Sequence, residues 1–308
     1  MKRVWVFVVL VVMMSGLVVV SGPSEASGNA GIKAPTLTPH DPIRIDGNGD
    51  FTFENGVSSG SGTESDPYII ENWDINASSA DLGHGIEVYD TDVHFVIKNC
   101  YIHDGKRCEN ATRLGNSGII FYNVINGKIE NLTGYNNERS IDLYHASKIA
   151  IISCVVYGNC CSMSFSHSSD NIIINCTLYN NYNGIHLLSS SNTTITNCHI
   201  HNNTEGIRLG HFSNNNTIIN TTISNNEHGI YLASSSNSNT ICYNRFVDNV
   251  EQFHDEGSNY WYDNEFIKRE ESWLSKLWKN PLLVPVLLVL ILVVIAIAFT
   301  LGGRKKKG

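Results

Sequence analysis

Gly118-Ile119-x-Phe121, Ser140-Ile141-x-Leu143, Ser162-Met163-x-Phe165, Gly184-Ile185-x-Leu187, Gly206-Ile207-x-Leu209 and Gly229-Ile230-x-Leu232 are six occurrences of one short pattern. A small residue is followed by an apolar one, a variable one and another apolar one. The steps are 22, 22, 22, 22 and 23 residues. A second row keeps the same phase: Ile129-x-Asn131-Leu132, Ile151-x-Ser153-Cys154, Ile173-x-Asn175-Cys176, Ile195-x-Asn197-Cys198 and Ile218-x-Asn220-Thr221. A fixed period of this length means a solenoid, in which each repeat packs on its neighbours.

The local spacing selects the kind of solenoid. Apolar residues alternate with others, as in Ile119/Phe121 and Ile185/Leu187, which is the spacing of a strand. Turn formers separate the runs: Asn180-Asn181, Ser189-Ser190-Ser191-Asn192 and Asn225-Asn226. No apolar face of period 3.6 is sustained between residues 85 and 250, and no Leu-rich consensus appears. The reading is an all-β parallel β-helix of about eight rungs, each rung about 4.8 Å from the next.

In such a fold, residues one period apart sit above one another. Asn131, Asn175, Asn197 and Asn220 are therefore expected to form a buried amide stack at a turn. Cys154, Cys176 and Cys198 are expected to form a buried column of small apolar residues. Stacked side chains point in parallel, which disfavours disulfides within that column.

On the N-terminal side, Gly85-Ile86-x-Val88 and Ile97-x-Asn99-Cys100 make an earlier rung. The step from Gly85 to Gly118 is 33, so an insertion near residues 104–116, containing Cys108, projects from the stack. Residues 41–82 read as an N-terminal cap and first rung, with strands at Pro42–Asp46 and Tyr68–Asn76. Asp46-x-Asn48-x-Asp50 has the spacing of a calcium loop, but Phe51 and Val57 stand where an EF-hand needs Gly and Glu, so a tight turn is expected. Residues 27–40 read as a linker. Residues 1–26 read as a signal peptide, with Lys2-Arg3, the apolar run Val4–Val20 and Ser24-x-Ala26; an uncleaved anchor is the alternative.

On the C-terminal side, the repeats run on through Phe246–Phe253 to about residue 265. Residues 266–281 read as a juxtamembrane segment. Leu282–Leu301 is an uncharged run of 20 and predicts a transmembrane α-helix; a processed sorting signal is the alternative. The basic tail at 302–308 places that end in the cytoplasm and the β-helix outside the cell.

The Gly-Ile repeats that end in Gly257-Ser258-Asn259-Tyr260-Trp261-Tyr262-Asp263-Asn264 resemble the right-handed parallel β-helix proteins of the NosD type. Asp66-Pro-Tyr-Ile-Ile-Glu-Asn-Trp73 looks like the opening of such repeats in archaeal cell-surface proteins. The resemblance covers roughly residues 41–265. It implies a right-handed coil, and either periplasmic copper handling or action on carbohydrate.

The formal net charge is −8 despite basic ends, which disfavours nucleic acid as a partner. Eight cysteines in an exported chain permit disulfides, and Cys108, Cys160 and Cys161 are the candidates outside the column. Of the Asn-x-Ser/Thr sequons, Asn76, Asn110, Asn192, Asn202 and Asn215 are expected at the surface.

Three outward rows carry the candidate chemistry. The variable position of the first pattern gathers Asp142, His186 and Arg208, flanked by Arg139 and Glu205. Asp142, His186, Glu205 and Arg208 are the parts an acid–base mechanism on a polysaccharide needs. Stacking puts Asp142 and Glu205 three rungs apart, far for a pair of catalytic carboxylates; cross-rung ion pairs on a solvated face are the plainer reading. In the second row His145 and His167 meet on adjacent rungs, two ligands where a tight metal site needs more. The third row is Tyr135, Tyr157, Tyr179 and His201, expected to offer ring faces to sugars.

The function read from these rows is a membrane-anchored surface module that binds an envelope polysaccharide or a surface protein, or builds envelope structure. A polysaccharide lyase, hydrolase or epimerase is the alternative, and copper handling a third. No resident cofactor is expected, with calcium at 46–50 or copper as the alternatives.

Overall fold

The computed structural model describes residues 37–80, 83–105 and 116–268. The expected signal peptide, most of the linker, Cys108 and Asn110 in the insertion, the membrane span at 282–301 and the basic tail lie outside the described residues.

The chain coils as a parallel β-solenoid of the right-handed type, about eight turns long. Its strands form three sheets that run the length of the coil. The first stacks Ile43–Asp46, Ile86–Thr91, Ser117–Val124, Arg139–Tyr144, Cys161–Ser166, Asn183–Leu188, Glu205–Gly210, His228–Leu232 and Glu251–Asp255. Each turn then adds one strand to the second sheet, such as Thr194–Thr196, and one to the third, such as His199–His201. The last turn ends at Glu265–Ile267, two residues past the expected boundary. Among the described residues no helix is long and apolar enough to cross a membrane.

Pairing between turns is parallel and follows the sequence period. Ile119, Ile141, Met163, Ile185, Ile207 and Ile230 pair in succession and are fully buried. Ile129, Ile151, Ile173, Ile195, Ile218 and Ile241 do the same in the second sheet. The small residue before each first-sheet pair is where successive turns approach most closely. A Cβ on Gly184 would collide with the carbonyl oxygen of Gly206, so this turn takes glycine, whereas Ser140 and Ser162 fill the same position two and one turns earlier.

The ends differ. Thr38–Pro39 lies along the edge of Trp73–Asn76, and Val57–Ser59 runs antiparallel to Tyr68–Glu71, covering two edges of the first rung. At the other end Phe253, Trp261 and Phe266 continue the core columns, and their rings meet at 4.5 and 5.7 Å.

The expected buried Asn stack is not at Asn131, Asn175, Asn197 and Asn220. All four are exposed, with φ between 52° and 56°. They sit at tight corners that need the left-handed conformation, which Asn tolerates. The sequons at Asn131, Asn175 and Asn220 are therefore as exposed as those at Asn76, Asn192, Asn202 and Asn215.

The buried ladder runs through Asn137, Asn159, Asn181, Asn203, Asn226 and Asn249. From Asn159 onward each Nδ2 donates to the next Oδ1, at 2.9–3.1 Å. Each Oδ1 also accepts the backbone N–H of the preceding member, as Asn181 does from Asn159 at 3.0 Å. Corner amides leave the sheet ladder, and a buried carboxamide with two donors and one acceptor replaces the lost partners. A second corner uses Ser190, Ser213 and Ser236 in the same way.

Candidate functional site

The variable residue of the first pattern points out of the first sheet. Register places Glu87, Ile120, Asp142, Ser164, His186, Arg208, Tyr231 and His254 in one column. Ser117, Arg139, Cys161, Asn183, Glu205 and His228 form the column beside it.

The plainer expectation for this row is a solvated face with cross-rung ion pairs. Its N-terminal half is buried: Glu87, Ile120, Asp142 and Ser164 are 7 % exposed or less. Period-2 alternation identifies the side of a sheet on which a residue lies, but not whether water reaches that side. Asp142 bonds to Arg139 at 2.9 Å. Burial pushes the Asp142 carboxyl above its ordinary range, and Arg139 opposes that shift. His84 accepts the Ser117 N–H at Nδ1, 2.9 Å, and burial lowers its pKa. Glu87 binds Arg44 at 2.7 Å and accepts the Tyr89 hydroxyl at 3.0 Å; burial first, then that carboxylate, pushes the Tyr89 phenol up to about 12.

The C-terminal half of the row opens into a groove of about 510 Å³ lined by Tyr182, Asn183, His186, Glu205, Arg208 and His211 among others. Glu205 and Arg208 pair at 2.6 Å, and the Arg208 guanidinium lies 4.5 Å over the Tyr231 ring. Desolvation, with Arg208 and Arg139 nearby, lowers the His186 pKa to about 4. His186 is thus a neutral imidazole at physiological pH. Its Nε2 is buried without a protein partner, and so is Oδ1 of Asn183.

Three of the four residues expected for acid–base chemistry, His186, Glu205 and Arg208, share this groove. Asp142 does not: it lies two turns away from His186 in register, buried against Arg139. Asp142 and Glu205 are three turns apart, nominally about 14 Å, whereas paired glycosidase carboxylates stand about 5 to 10 Å apart. His211 belongs to the repeating corner row of His145 and His167, which the sequence does not connect to this groove, and Tyr182 stands at a corner outside the three outward rows.

The third-sheet ladder forms as register requires. Tyr135–Tyr157, Tyr157–Tyr179 and Tyr179–His201 have ring centroids 4.8, 5.0 and 5.1 Å apart. Their planes are 31°, 6° and 1° from parallel. The inner rings therefore cover each other's faces, and the ladder offers edges and hydroxyls outward. A second ladder, Tyr89–Tyr122–Tyr144, flanks the buried end of the first sheet.

His145 and His167 stack at 5.1 Å on exposed corners, with φ of 52° each. Among the described residues no three His, Cys, Asp or Glu side chains gather to hold a metal. Asp46, Asn48 and Asp50 form a turn: Asp50 accepts the Asp46 N–H, and Asn48 binds Thr91 and Asp92. Cys100, Cys154, Cys176, Cys198 and Cys242 are buried free thiols, and Cys160 and Cys161 are also unpaired.

The family model described as "Periplasmic copper-binding protein (NosD)" matches residues 59–272. No curated protein matches at a significant level. Among solved structures, Geobacillus virus E2 ORF18 is similar with a TM-score of 0.52 and 16% identity, over 65% of this chain and 42% of that one. The enzymatically active domain of bacteriophage CBA120 tailspike protein 2 gives 0.51 and 13%, over 76% and 38%. The A-module of Azotobacter vinelandii mannuronan C-5 epimerase AlgE4 gives 0.46 and 17%, over 65% and 64%. The chain spans less than two thirds of the length of each of these structures. Likeness at these identities shows the fold alone.

Copper, which the family description implies, prefers several imidazole, thiolate or thioether ligands. Met163 is the one methionine among the described residues, and it is fully buried in the core. His145 and His167 have no third ligand beside them, so the described residues do not fit a copper centre.

Proposed function

The chain belongs to the NosD family, and from that premise we propose that it is an exported β-helix module that binds a glycan along the outer face of its first sheet. The observation that carries this reading is the groove at Tyr182, His186, Glu205 and Arg208. It joins a ring that is 57% exposed to a neutral imidazole and a fixed ion pair. An apolar surface with a few placed polar groups is what a sugar, with its apolar faces and hydroxyl rim, requires. A polysaccharide of the cell envelope is the partner class. The leader at 1–26, the span at 282–301 and the basic tail at 302–308 complete the proposal: the module is held outside the cell on one C-terminal helix.

Affinity of the full chain, in detergent or nanodiscs, for a panel of neutral and acidic polysaccharides tests the reading. Binding is expected, and Tyr182→Ala and Arg208→Ala are expected to weaken it at least about tenfold, as loss of a stacking ring or a charged contact does. Absence of binding to every polymer sinks it.

One observation favours catalysis in the same groove. His186 is neutral at physiological pH and shares the groove with Glu205, so it can accept a proton, although a pKa lowered to about 4 makes it a weak base. Following polymer size in the same assay decides between the readings: shortening that disappears in His186→Ala means an enzyme.

A further inference from the structure

Asn183 and His186 lie three residues apart on the strand Asn183–Leu188, one on each column of the groove. Their polar neighbours in register are engaged elsewhere. Cys161, beside Asn183, donates its thiol to the Met163 carbonyl at 3.4 Å. Ser164, beside His186, is bonded to Asp142. On the other side Arg208 donates to Glu205 at 2.6 Å. These commitments leave Asn183 Oδ1 and His186 Nε2 buried and without a protein partner, at one wall of an open groove. Buried polar atoms in folded proteins are nearly always bonded, so two orphans on residues that line one cleft call for an explanation.

We propose that Asn183 and His186 form a subsite for one uncharged sugar unit, gripping two of its hydroxyl groups; this rests on the glycan-binding reading above. The chemistry of the two atoms selects the ligand. Asn183 Oδ1 is an acceptor and takes a hydroxyl or amide hydrogen. Nε2 of a neutral imidazole donates or accepts according to its tautomer, and a hydroxyl satisfies either role. A cation is disfavoured, because Arg208 and Arg139 act on His186 electrostatically. A carboxylate is disfavoured too, because it would meet Asn183 Oδ1 and Glu205, and Arg208 is already paired. Neighbouring hydroxyls on one sugar ring remain. Tyr182 precedes Asn183 directly and, unlike the ladder tyrosines, stacks on no ring among the described residues. Its free face is placed for the apolar side of the same unit.

Calorimetry on the full chain tests this with hexasaccharides of glucose, mannose and galactose, and with a hexauronate of equal length. At least one neutral oligosaccharide is expected to bind more tightly than the uronate. Asn183→Leu and His186→Phe are each expected to lower its affinity about tenfold or more, the scale of one lost hydrogen bond at a desolvated site. Neither is expected to lower Tm through a lost bond, because neither atom has a protein partner to lose. Imidazole ¹⁵N spectra of the unmodified protein give a second readout, in which the His186 Nε2 resonance shifts on saturation with the neutral ligand. A tighter uronate, unchanged affinity in both variants, or an unmoved Nε2 resonance overturns the subsite. If Arg208→Ala still abolishes binding in that case, the glycan-binding reading survives. If no saccharide or polysaccharide binds the unmodified chain, both fall together.

Discussion

Tyr157 and Tyr179 stack on successive turns of the third sheet with ring centroids 5.0 Å apart and planes 6° from parallel. The contact gives the ladder a structural role and blocks the faces that a sugar would use. Each stacked aromatic pair is worth about 0.5–1.5 kcal/mol beyond burial. Tyr157→Ala breaks two such pairs and is expected to lower stability by about 2 kcal/mol in urea titration. Tyr157→Phe keeps the stack and is expected to be near neutral. Glycan affinity is expected to be unchanged in both. A loss of affinity in Tyr157→Phe would move the binding site to the hydroxyl edge of the ladder.

The Asn ladder is expected to be less tolerant. Asn181 donates to Val156 O, Tyr179 O and Asn203 Oδ1, and accepts the Asn159 N–H. Asn181→Ala strands these buried groups, at about 1–3 kcal/mol for each one left unpaired. A loss of about 3 kcal/mol or more is expected in urea unfolding, against about 1 kcal/mol for the exposed corner change Asn180→Ala, where Ala loses only the ease with which Asn takes the left-handed φ of 55°.

His186 carries a pH signature. Its folded pKa of about 4 lies below the ordinary value of 6.5. Between those values the unfolded chain binds a proton that the folded chain does not, so stability falls as pH drops from 6.5 toward 4. The full effect is roughly 3 kcal/mol, from about 1.36 kcal/mol per pKa unit. The difference in unfolding free energy between the unmodified protein and His186→Gln, followed from pH 7 to 4, isolates it. Asp142 works in the opposite sense, since its raised pKa makes the folded state take up a proton first as pH falls. A difference that stays flat across this window would show that His186 titrates normally.

Thiol reactivity checks the cysteine column. Cys160 is the most accessible of the seven described cysteines, and the others are buried. Burial pushes the Cys100 thiol up to about 11, which slows attack on reagents that need thiolate. In a Cys108→Ser background one thiol per chain is expected to react quickly in the native state, and that reaction is expected to disappear in Cys160→Ser. Rapid labelling of Cys154 or Cys176 would contradict the packed column.

Much of the fold was legible because stacking repeats its demands at a fixed period. Ile185 and Ile207 face the same core from the same register, so the sequence writes them alike. The corners were harder. Asn180 and Asn181 are adjacent and chemically identical, yet one is exposed at φ 55° and the other is a buried ladder member. One-residue offsets at a corner decide between a left-handed turn and an inward carboxamide, and composition carries no record of that offset.

The chain by itself determined the coil, its period and the columns that hold His186, Glu205 and Arg208, because strand alternation and repeat length are local quantities. Tertiary structure alone decided which part of the outer row is open. It buried Asp142 with Arg139, opened a groove at His186, and turned the Tyr157 and Tyr179 faces toward each other. These outcomes depend on what lies against a face and on which neighbours have already taken the available hydrogen bonds. Both are properties of the assembled coil, and no single repeat contains them.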